Sequence, residues 1–175
     1  MTIKTIFLDR DGVINKDINY LFRVEDCVFI IDIFEACQYF QKLGYKIIII
    51  TNQSGISRGY YKEEDFHKLT SWMLKQFALK GVNIFDIFYC PHGPKSFCEC
   101  RKPKPGMFLD AKTKHNINME FSWMIGDNEI DIEAANRAGI DNTILIRGKK
   151  LTSNNKSKAK FIINSIQQST KIIIQ

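Results

Sequence analysis

The stretch FLDRDGVI, residues 7–14, places two carboxylates at the end of an apolar run and just before a glycine. Alternate residues of a β-strand point to the same side, so Asp9 and Asp11 are expected to face one small volume. Two such carboxylates repel each other unless a cation lies between them, and Mg²⁺ prefers hard oxygen ligands. Carboxylates also act as nucleophiles and acid–base groups, so the pattern suits chemistry at a phosphoryl group. A simple strand-end turn is the alternative interpretation.

Apolar runs alternate with amphipathic stretches along the chain. The predicted strands cover residues 3–8, 45–50, 84–89, 122–125 and 143–146, and the predicted helices cover residues 33–43, 63–79, 106–115 and 129–138. Residues 161–174 are predicted to add an edge strand and a last helix. This alternation predicts an α/β fold, a Rossmann-like parallel sheet with helices on both faces and right-handed crossovers.

The bulk properties indicate a globular protein. The 175 residues are enough for a sizeable core, and residues 1–175 are expected to form a single domain. The most apolar stretch, residues 31–50, contains charged side chains and does not suit a membrane span. Because Met1 leads almost directly into the first strand, no secretory signal is expected. We therefore expect a cytoplasmic monomer without a membrane partner.

The formal net charge of +6 is concentrated near the C-terminus. Residues 147–160 contain no acidic residue and six basic ones, which are Arg147, Lys149, Lys150, Lys156, Lys158 and Lys160. Outside this stretch, basic and acidic residues are equal in number. We interpret the stretch as a solvated loop, with a polyanion-contacting arm as the alternative. Nucleic acid is therefore not expected as a partner.

Polar residues that can carry chemistry follow four of the predicted strands. They are Asp9 and Asp11 after the first, Thr51, Asn52, Gln53 and Ser54 after the second, residues 90–102 after the third and residues 127–131 after the fourth. The carboxyl ends of parallel strands meet at one edge of a sheet, where α/β proteins bind ligands. The sequence therefore predicts one site at that edge.

Several of these residues suit a phosphoryl group. The Thr51 hydroxyl and the Asn52 amide can donate to phosphate oxygens, although such a pair also ends strands in ordinary turns. Arg101 and Lys102 precede two prolines that stiffen the loop, and a rigidly placed cation can neutralise a transferring phosphoryl group. A surface basic pair is the alternative.

The loop after the fourth strand offers another carboxylate. Asp127 can complete a Mg²⁺ site with Asp9 and the backbone carbonyl of Asp11. Asp131 is interpreted as a residue that caps or orients the loop, and Glu129 as a residue that serves the helix dipole.

Residues 90–100, the zinc loop, contain a metal-binding pattern. Three thiols and one imidazole, from Cys90, His92, Cys98 and Cys100, match tetrahedral Cys₃His ligation of zinc. Because protein fills all four positions, the site should be structural. A disulfide is disfavoured in a reducing compartment. Zinc would then position the Arg101–Lys102 pair without taking part in the reaction.

The assembled pattern resembles the haloacid dehalogenase-like phosphohydrolases. The shared motifs are DxDG after the first strand, Thr-Asn after the second, a Lys before the fourth and GDxxxD after it. The zinc loop is similar to that of the branch holding the D-glycero-D-manno-heptose 1,7-bisphosphate phosphatases and the histidinol-phosphatases. The stretch TNQSGISRG, residues 51–59, favours the heptose enzymes. The resemblance covers residues 3–147, and the chain lacks room for a cap domain.

This resemblance implies a reaction and roles for the residues. Asp9 would attack phosphorus to form an aspartyl-phosphate, and Asp11 would protonate the leaving oxygen and then activate water. Thr51 and Lys102 would stabilise the phosphoryl group, and Mg²⁺ would bind to Asp9, Asp11 and Asp127. Substrate contacts would come from Asp17, Ile18, Asn19, Tyr20, Asn52, Gln53, Ser54, Arg101 and Asn128. The expected substrate is a small phosphorylated sugar, D-glycero-D-manno-heptose 1,7-bisphosphate, which would lose its C7 phosphate in nucleotide-activated heptose biosynthesis.

Two alternatives stay open. A histidinol-phosphatase is supported by Asn128, which stands where the heptose enzymes usually have Lys, and by the five residues between His92 and Cys98. The non-enzyme alternative is a zinc-stabilised nucleic-acid-binding module that uses residues 147–160. It leaves the carboxylates of Asp9, Asp11 and Asp127 without a role.

Overall fold

The computed structural model describes residues 2–147 and 157–174, so Lys149, Lys150 and Lys156 of the predicted basic loop lie outside the described residues. The strands are β1 (Thr5–Leu8), β2 (Lys46–Asn52), β3 (Ile84–Cys90), β4 (Trp123–Gly126), β5 (Asn142–Ile146) and β6 (Phe161–Ile163). The helices are α1 (Ile33–Lys42), α2 (Glu63–Leu79), α3 (Gly106–His115), α4 (Glu129–Arg137) and α5 (Ile166–Ser169). A short 3₁₀ helix, Val24–Asp26, precedes α1.

The strands form one parallel sheet in the order β3-β2-β1-β4-β5-β6. The predicted α/β fold and the edge strand β6 are therefore confirmed. The first strand is shorter than predicted, because Ile3 forms an isolated bridge with Ile117 in the turn after α3. With β1 between β2 and β4, the carboxyl end of β1 lies beside the carboxyl ends of both neighbours.

The hydrophobic core forms a layer on each face of the sheet. Ile6 and Leu8 of β1 belong to the layer that includes residues of α1, α2 and α5, whereas Phe7 belongs to the layer that includes α3 and α4. The Phe7 ring packs edge-on against Phe108 of α3 at 5.1 Å between centroids. Successive residues of a strand point to opposite faces, so these helices lie on both faces, as the sequence predicted.

Three helices end at glycines in the left-handed region of the backbone. Gly44, Gly81 and Gly139 follow α1, α2 and α4 with φ values of 83°, 70° and 89°. A residue with a Cβ is strained in this conformation, which explains glycine at these positions. Of the helices in the described ranges, none has the length and the apolar character that a membrane crossing requires.

Candidate active site

A cavity of about 240 Å³ opens at the carboxyl edge of the sheet. Its lining includes eleven of the predicted site residues, namely Asp9, Asp11, Asp17, Asn19, Tyr20, Asn52, Gln53, Ser54, Lys102, Asp127 and Asn128, together with Tyr61, Ile130 and Asp131. Predicted residues Ile18, Thr51 and Arg101 are near it in sequence but do not line it. The structure therefore brings residues from all the predicted loops to one place.

A buried lysine joins two carboxylates in this cavity. Lys102 Nζ lies 2.8 Å from Asp9 Oδ1 and 2.7 Å from Asp131 Oδ1, and its side chain is 2% exposed. Burial acts to lower the pKa of Lys102, but the two carboxylates outweigh burial and raise this pKa above its usual value. Burial also raises the pKa of Asp9, which the charge of Asp131 raises further and Lys102 opposes. Lys102 is thus a fixed cation beside Asp9.

The backbone of Lys102 is fixed by the strand end of β2. Its N–H donates to Asn52 Oδ1 at 3.1 Å, and Asn52 Nδ2 donates to the Lys102 carbonyl at 3.2 Å. Lys102 Nζ also donates to the carbonyl of Ile50 at 2.9 Å. The cation is therefore held at its backbone and at the end of its side chain by the same strand.

Asp11 is paired with a cationic side chain of its own, Arg10. Arg10 Nη2 lies 2.9 Å from Asp11 Oδ2, and the Arg10 Nε also donates to the same carboxylate. Asn15 Nδ2 donates to Asp11 Oδ1 at 2.9 Å, and Gln53 Nε2 donates to Asp11 Oδ2 at 3.3 Å. Asp9 and Asp11 are thus each paired with a different cationic side chain, Lys102 and Arg10.

Thr51 lies behind the cavity lining. It is buried, and its hydroxyl accepts a hydrogen bond from Gln53 Nε2 at 2.8 Å. Gln53 Oε1 in turn accepts a hydrogen bond from the Tyr61 hydroxyl at 2.5 Å. Burial raises the pKa of Tyr61 to about 12, so this hydroxyl keeps its proton and remains a donor. Gln53 therefore links Thr51 to the Asp11 carboxylate.

Three carboxylates form a group that can hold a metal ion. One oxygen from each of Asp9, Asp127 and Asp131 lies within 4.8 Å of the others. Burial, followed by the charge of Asp131, raises the pKa of Asp127 to about 7, which is a sign of crowded negative charge. Asp131 already binds Lys102 and the Asn128 backbone, so Asp9 and Asp127 are the better oxygen donors for Mg²⁺.

The start of α4 is fixed by a capping box. Asn128 is the N-cap, and its Oδ1 accepts a hydrogen bond from the N–H of Ile130 at 3.2 Å. Asp131 Oδ2 accepts the Asn128 N–H at 3.1 Å, so the predicted capping role of Asp131 is confirmed. A lysine at position 128 would lack the side-chain acceptor that asparagine provides. The second role of Asp131, as a partner of Lys102, was missed.

Residues 17–20 form one wall of the cavity in a sharply turned conformation. Asn19 and Tyr20 have φ values of 58° and 59°, and Asp17 Oδ1 accepts the Asn19 N–H at 2.9 Å. The Tyr20 ring contacts Tyr60 edge-on, with 4.6 Å between centroids. Ile18, which was predicted to contact the substrate, is 47% exposed and does not line the cavity. Positive φ at a bulky residue is strained, and such strain occurs at ligand sites.

The four predicted zinc ligands come together in the zinc loop. One ligand atom from each of Cys90, His92, Cys98 and Cys100 lies within 4.8 Å of the others. Sulfur–sulfur distances are 3.7 Å for Cys90–Cys98 and 3.0 Å for Cys90–Cys100, and His92 Nδ1 lies 3.2 Å from the Cys100 sulfur. Ligands at zinc bond lengths in a tetrahedron would be about 3.5–3.8 Å apart. The Cys90–Cys98 distance lies in this range and the two distances to Cys100 are shorter, so Cys100 would move outward by about 0.5 Å when the four donors bind zinc.

The zinc loop is attached to the rest of the site. Arg101 Nη1 donates to the His92 carbonyl at 3.1 Å, which holds the Arg101 side chain against the loop. The Gln53 N–H donates to the Cys90 carbonyl at 2.8 Å, and the Ser57 N–H donates to Pro91. An ordered zinc loop therefore supports both the β2 loop and the segment that carries Lys102.

Sequence reasoning missed Arg10, Asn15 and Tyr61. A charged residue between two aspartates is normally expected at the surface, yet Arg10 is 2% exposed. The sequence did contain one indication that Arg10 is buried, because it lies only two residues after the end of the buried strand β1. Asn15 and Tyr61 act through side-chain contacts that only the folded chain creates, so their sequence carried no signal.

The described part of the basic loop makes contacts within the molecule. Arg147 Nη2 lies 2.7 Å from Glu129 Oε1, and Lys160 Nζ donates to Asn142 Oδ1 at 2.8 Å. Lys160 Nζ also lies 6.0 Å from the centre of the Trp123 ring. These cations thus pack against the protein surface.

Comparisons with known proteins agree with this fold. A family model described as HAD-hydrolase-like matches residues 99–169. The D-glycero-alpha-D-manno-heptose-1,7-bisphosphate 7-phosphatase of Campylobacter jejuni is 50% identical over 150 residues, 86% of each chain. The corresponding beta-named phosphatase of Vibrio cholerae is 45% identical over 175 residues, 95% of this chain and 94% of its own.

A solved structure shares the whole architecture. The D,D-heptose 1,7-bisphosphate phosphatase from B. bronchiseptica, complexed with magnesium and phosphate, has a TM-score of 0.88 at 27% identity, with 97% of both chains covered. The family match and these similarities place the chain among the haloacid dehalogenase-like phosphatases. The chain belongs, within that class, to the family of the D-glycero-D-manno-heptose-1,7-bisphosphate 7-phosphatases. These relatives identify the chain as a phosphatase and not as the alternative, a nucleic-acid-binding module.

Proposed function

We propose that this chain hydrolyses the C7 phosphate ester of D-glycero-D-manno-heptose 1,7-bisphosphate, in the synthesis of nucleotide-activated heptose. The observation that carries the proposal is the ion pair of 2.8 Å between Asp9 and the buried Lys102, inside a cavity of about 240 Å³. The names of the Campylobacter jejuni and Vibrio cholerae relatives supply the substrate.

In the first step, an oxygen of Asp9 attacks phosphorus. A bond forms between this oxygen and phosphorus, and the bond from phosphorus to the sugar oxygen breaks. Asp11, which takes up a proton from solvent before this step, gives that proton to the leaving oxygen, so the sugar departs as a neutral alcohol. Lys102 neutralises negative charge on the phosphoryl oxygens, and Thr51 is proposed to donate to the same group.

In the second step, Asp11 takes a proton from water as the water oxygen attacks the aspartyl-phosphate. The bond from phosphorus to Asp9 breaks, which regenerates the carboxylate and yields inorganic phosphate. Asp9, Asp127 and the Asp11 backbone carbonyl would hold Mg²⁺. When bound, the metal would supply positive charge to the carboxylates and to the phosphoryl oxygens.

The remaining predicted residues are proposed to bind the substrate. They are Asp17, Ile18, Asn19, Tyr20, Asn52, Gln53, Ser54, Arg101 and Asn128. Among these, Asn52 also fixes Lys102, and Asn128 also caps α4. Because Asn128 is neutral, binding of the second phosphate of the sugar would depend on other groups, of which Arg101 is the proposed cation.

Zinc is proposed to be structural and bound by Cys90, His92, Cys98 and Cys100. Protein atoms fill all four positions, so no site on the zinc would be open to substrate. Three clustered thiols suit a reducing compartment, which supports the cytoplasm as the location. We further propose that residues 1–175 act as a single-domain monomer.

The test measures phosphate release by the wild-type protein and by Asp9→Asn. The substrates are the alpha and beta anomers of the heptose bisphosphate, since relatives carry both names, and histidinol phosphate. We expect release from one heptose anomer, with phosphorus NMR identifying C7, and loss of activity in Asp9→Asn. Asp110→Asn, an exposed carboxylate of α3, is the control and should keep full activity.

Two results would contradict the proposal. Equal activity in wild type and Asp9→Asn would exclude the aspartyl-phosphate, and faster turnover of histidinol phosphate than of both heptose anomers would exclude the substrate.

A further inference from the structure

The guanidinium of Arg10 lies inside the protein next to the catalytic cavity. Arg10 is 2% exposed, and its carbon Cζ lies 5.9 Å from the centre of the Phe66 ring. Its Nη1 is buried without a hydrogen-bond partner among the described residues. A charge in such a place needs a strong counter-ion, because burial removes the water that would otherwise solvate it.

That counter-ion is Asp11, and the contact has a fork geometry. Arg10 Nη2 donates to Asp11 Oδ2 at 2.9 Å and to Oδ1 at 3.1 Å, and Nε donates to both oxygens at 3.2 and 3.3 Å. A planar guanidinium fixes the orientation of a carboxylate as well as its position. A lysine would supply the charge without that orientation.

The same guanidinium reaches the wall of the cavity. Arg10 Nη2 donates to the carbonyl of Leu21 at 3.0 Å. Leu21 directly follows residues 17–20, of which Asp17, Asn19 and Tyr20 line the cavity. One side chain therefore connects the Asp11 carboxylate with the end of a segment that lines the cavity.

We propose that Arg10 is a positioning residue for Asp11. It fixes the plane and the place of the Asp11 carboxylate relative to the leaving oxygen, and through Leu21 it fixes the adjacent wall. The inference rests on the proposed function, in which Asp11 transfers the protons. Arg10 does not line the cavity, so it acts through Asp11 and not by contact with the substrate.

The first measurement is a double-mutant cycle of Arg10→Met, Asp11→Asn and the double variant. Single-turnover transfer of phosphate from the heptose bisphosphate is followed by rapid quench. We expect Arg10→Met to slow this step by about 10²-fold, the lower end of what a general acid contributes. The double variant should be as slow as Asp11→Asn alone, within about threefold, because residues that act as a unit are not additive.

The second measurement uses p-nitrophenyl phosphate, whose leaving group departs as a stable anion without a proton. If Arg10 acts through Asp11, the Arg10→Met substitution should lower the rate by about 10²-fold on the heptose substrate but by about threefold or less on this aryl ester. A general loss of structure would slow both substrates alike. Arg10→Lys should fall between wild type and Arg10→Met on the heptose substrate, because it restores charge but not the fork.

A separate control variant tests whether a loss of stability alone changes the two rates. Met73→Ala removes a buried side chain of α2 that does not line the cavity, and should lower stability while leaving the ratio of the two rates unchanged. If Arg10→Met does not fold, Arg10→Lys takes its place in the cycle and in the substrate comparison.

Three outcomes would overturn the inference. They are a rate unchanged by the Arg10 substitution, an equal loss on both substrates, and a full additional loss when the substitution is combined with Asp11→Asn. Failure of the proposed function looks different. Either the wild type would release no phosphate from the heptose substrate, or the Asp9→Asn substitution would leave the rate unchanged. The two proposals can therefore fail independently.

Discussion

The side-chain amide of Asn52 exchanges two hydrogen bonds with the backbone of Lys102, at 3.1 and 3.2 Å, across 50 residues of sequence. Asn52 ends β2, and Lys102 lies in the segment between β3 and α3. The contact sets the position of the Lys102 backbone, while Asp9, Asp131 and the Ile50 carbonyl hold the Nζ atom. Asn52 therefore determines where the cation meets Asp9.

Asn52→Asp should reduce kcat by about 10²-fold, the loss that a displacement of about 1 Å can cause. The new carboxylate keeps an acceptor for the Lys102 N–H but places negative charge against the Lys102 carbonyl. Steady-state kinetics on the heptose bisphosphate measure the effect. Asn142→Ala is the control, because Asn142 also donates to a backbone carbonyl but lies at the start of β5, away from the cavity. A normal kcat in Asn52→Asp would contradict the positioning role.

Lys102→Met should lower the free energy of unfolding by about 3–5 kcal/mol, the usual cost of leaving a buried charge without its partner. Asp9 and Asp131 would then face each other inside the protein. Since protonation of these carboxylates would relieve the repulsion, the loss should be larger at pH 8 than at pH 5. Urea denaturation at both pH values measures it.

Lys114→Met provides the matched comparison. Lys114 lies 2.8 Å from Asp86, but its side chain is 60% exposed, so this ion pair should contribute less than about 1 kcal/mol. Similar losses of unfolding free energy in Lys102→Met and Lys114→Met would show that burial does not set the strength of the Lys102 ion pairs.

Most of the fold could be predicted from the sequence, because each strand is a short apolar run and each helix has its own periodicity. Helix α2, residues Glu63–Leu79, has the predicted bounds. Strand β2 extends two residues beyond the prediction, because Thr51 and Asn52 pair with Tyr89 and Cys90 of β3. Polar residues at a strand end look like a turn until the partner strand is known.

Most of the residues that line the site were predictable, but the pairing of their side chains was not. The position of each loop after a strand placed Asp9, Asp127 and Lys102 at one edge of the sheet. The choice of partners depends on the strand order, which puts β4 next to β1 and so brings Asp127 and Asp131 to Asp9. The Arg10–Asp11 pair depends on a side-chain path that composition and spacing do not specify.

Cys98→Ser should remove zinc and lower stability. We expect one equivalent of zinc per wild-type chain by elemental analysis and much less in the variant, because three ligands bind structural zinc weakly. The melting temperature of the wild type should fall on treatment with a chelator, and that of the variant should not.

Cys27→Ser tests whether the effect is specific to the cluster. Cys27 is a free, half-buried cysteine outside the zinc loop, so this variant should keep one equivalent of zinc. Retention of full activity and stability in a zinc-free wild-type preparation would refute the supporting role of the zinc loop.

The affinity for Mg²⁺ should rise with pH up to about 7 and then level off. In the metal-free protein the pKa of Asp127 is raised to about 7 by burial and by Asp131, so Mg²⁺ must displace a proton at lower pH. Calorimetry in buffers of different ionisation enthalpy should detect close to one proton released from Asp127 at pH 6 and about a tenth of a proton at pH 8. Affinity independent of pH would exclude Asp127 as a ligand with this pKa.

The same pKa predicts how the stability of the metal-free protein depends on pH. The native pKa of Asp127, about 7, exceeds the value of 3.8 for an unperturbed aspartate, so between these pH values the native state binds more protons than the unfolded state. This group therefore makes the metal-free protein less stable as pH rises from 4 to 7. In Asp127→Asn that contribution should disappear.

Gly12→Ala should weaken Mg²⁺ binding, an effect separate from the loss of stability that alanine causes at a left-handed position. Gly12 has φ +85°, and a Cβ built there would lie 2.1 Å from Asp127 Oδ2, so alanine must displace the proposed metal ligand. Gly139→Ala is the matched control, because its φ of +89° gives the same backbone strain, about 1–2 kcal/mol, with nothing within 4 Å of the new Cβ. Calorimetric titration with Mg²⁺ and urea denaturation of both variants separate the two effects. We expect similar losses of stability but weaker Mg²⁺ binding in Gly12→Ala alone, and equal Mg²⁺ affinities would show that the Asp127 carboxylate does not bind the metal from this position.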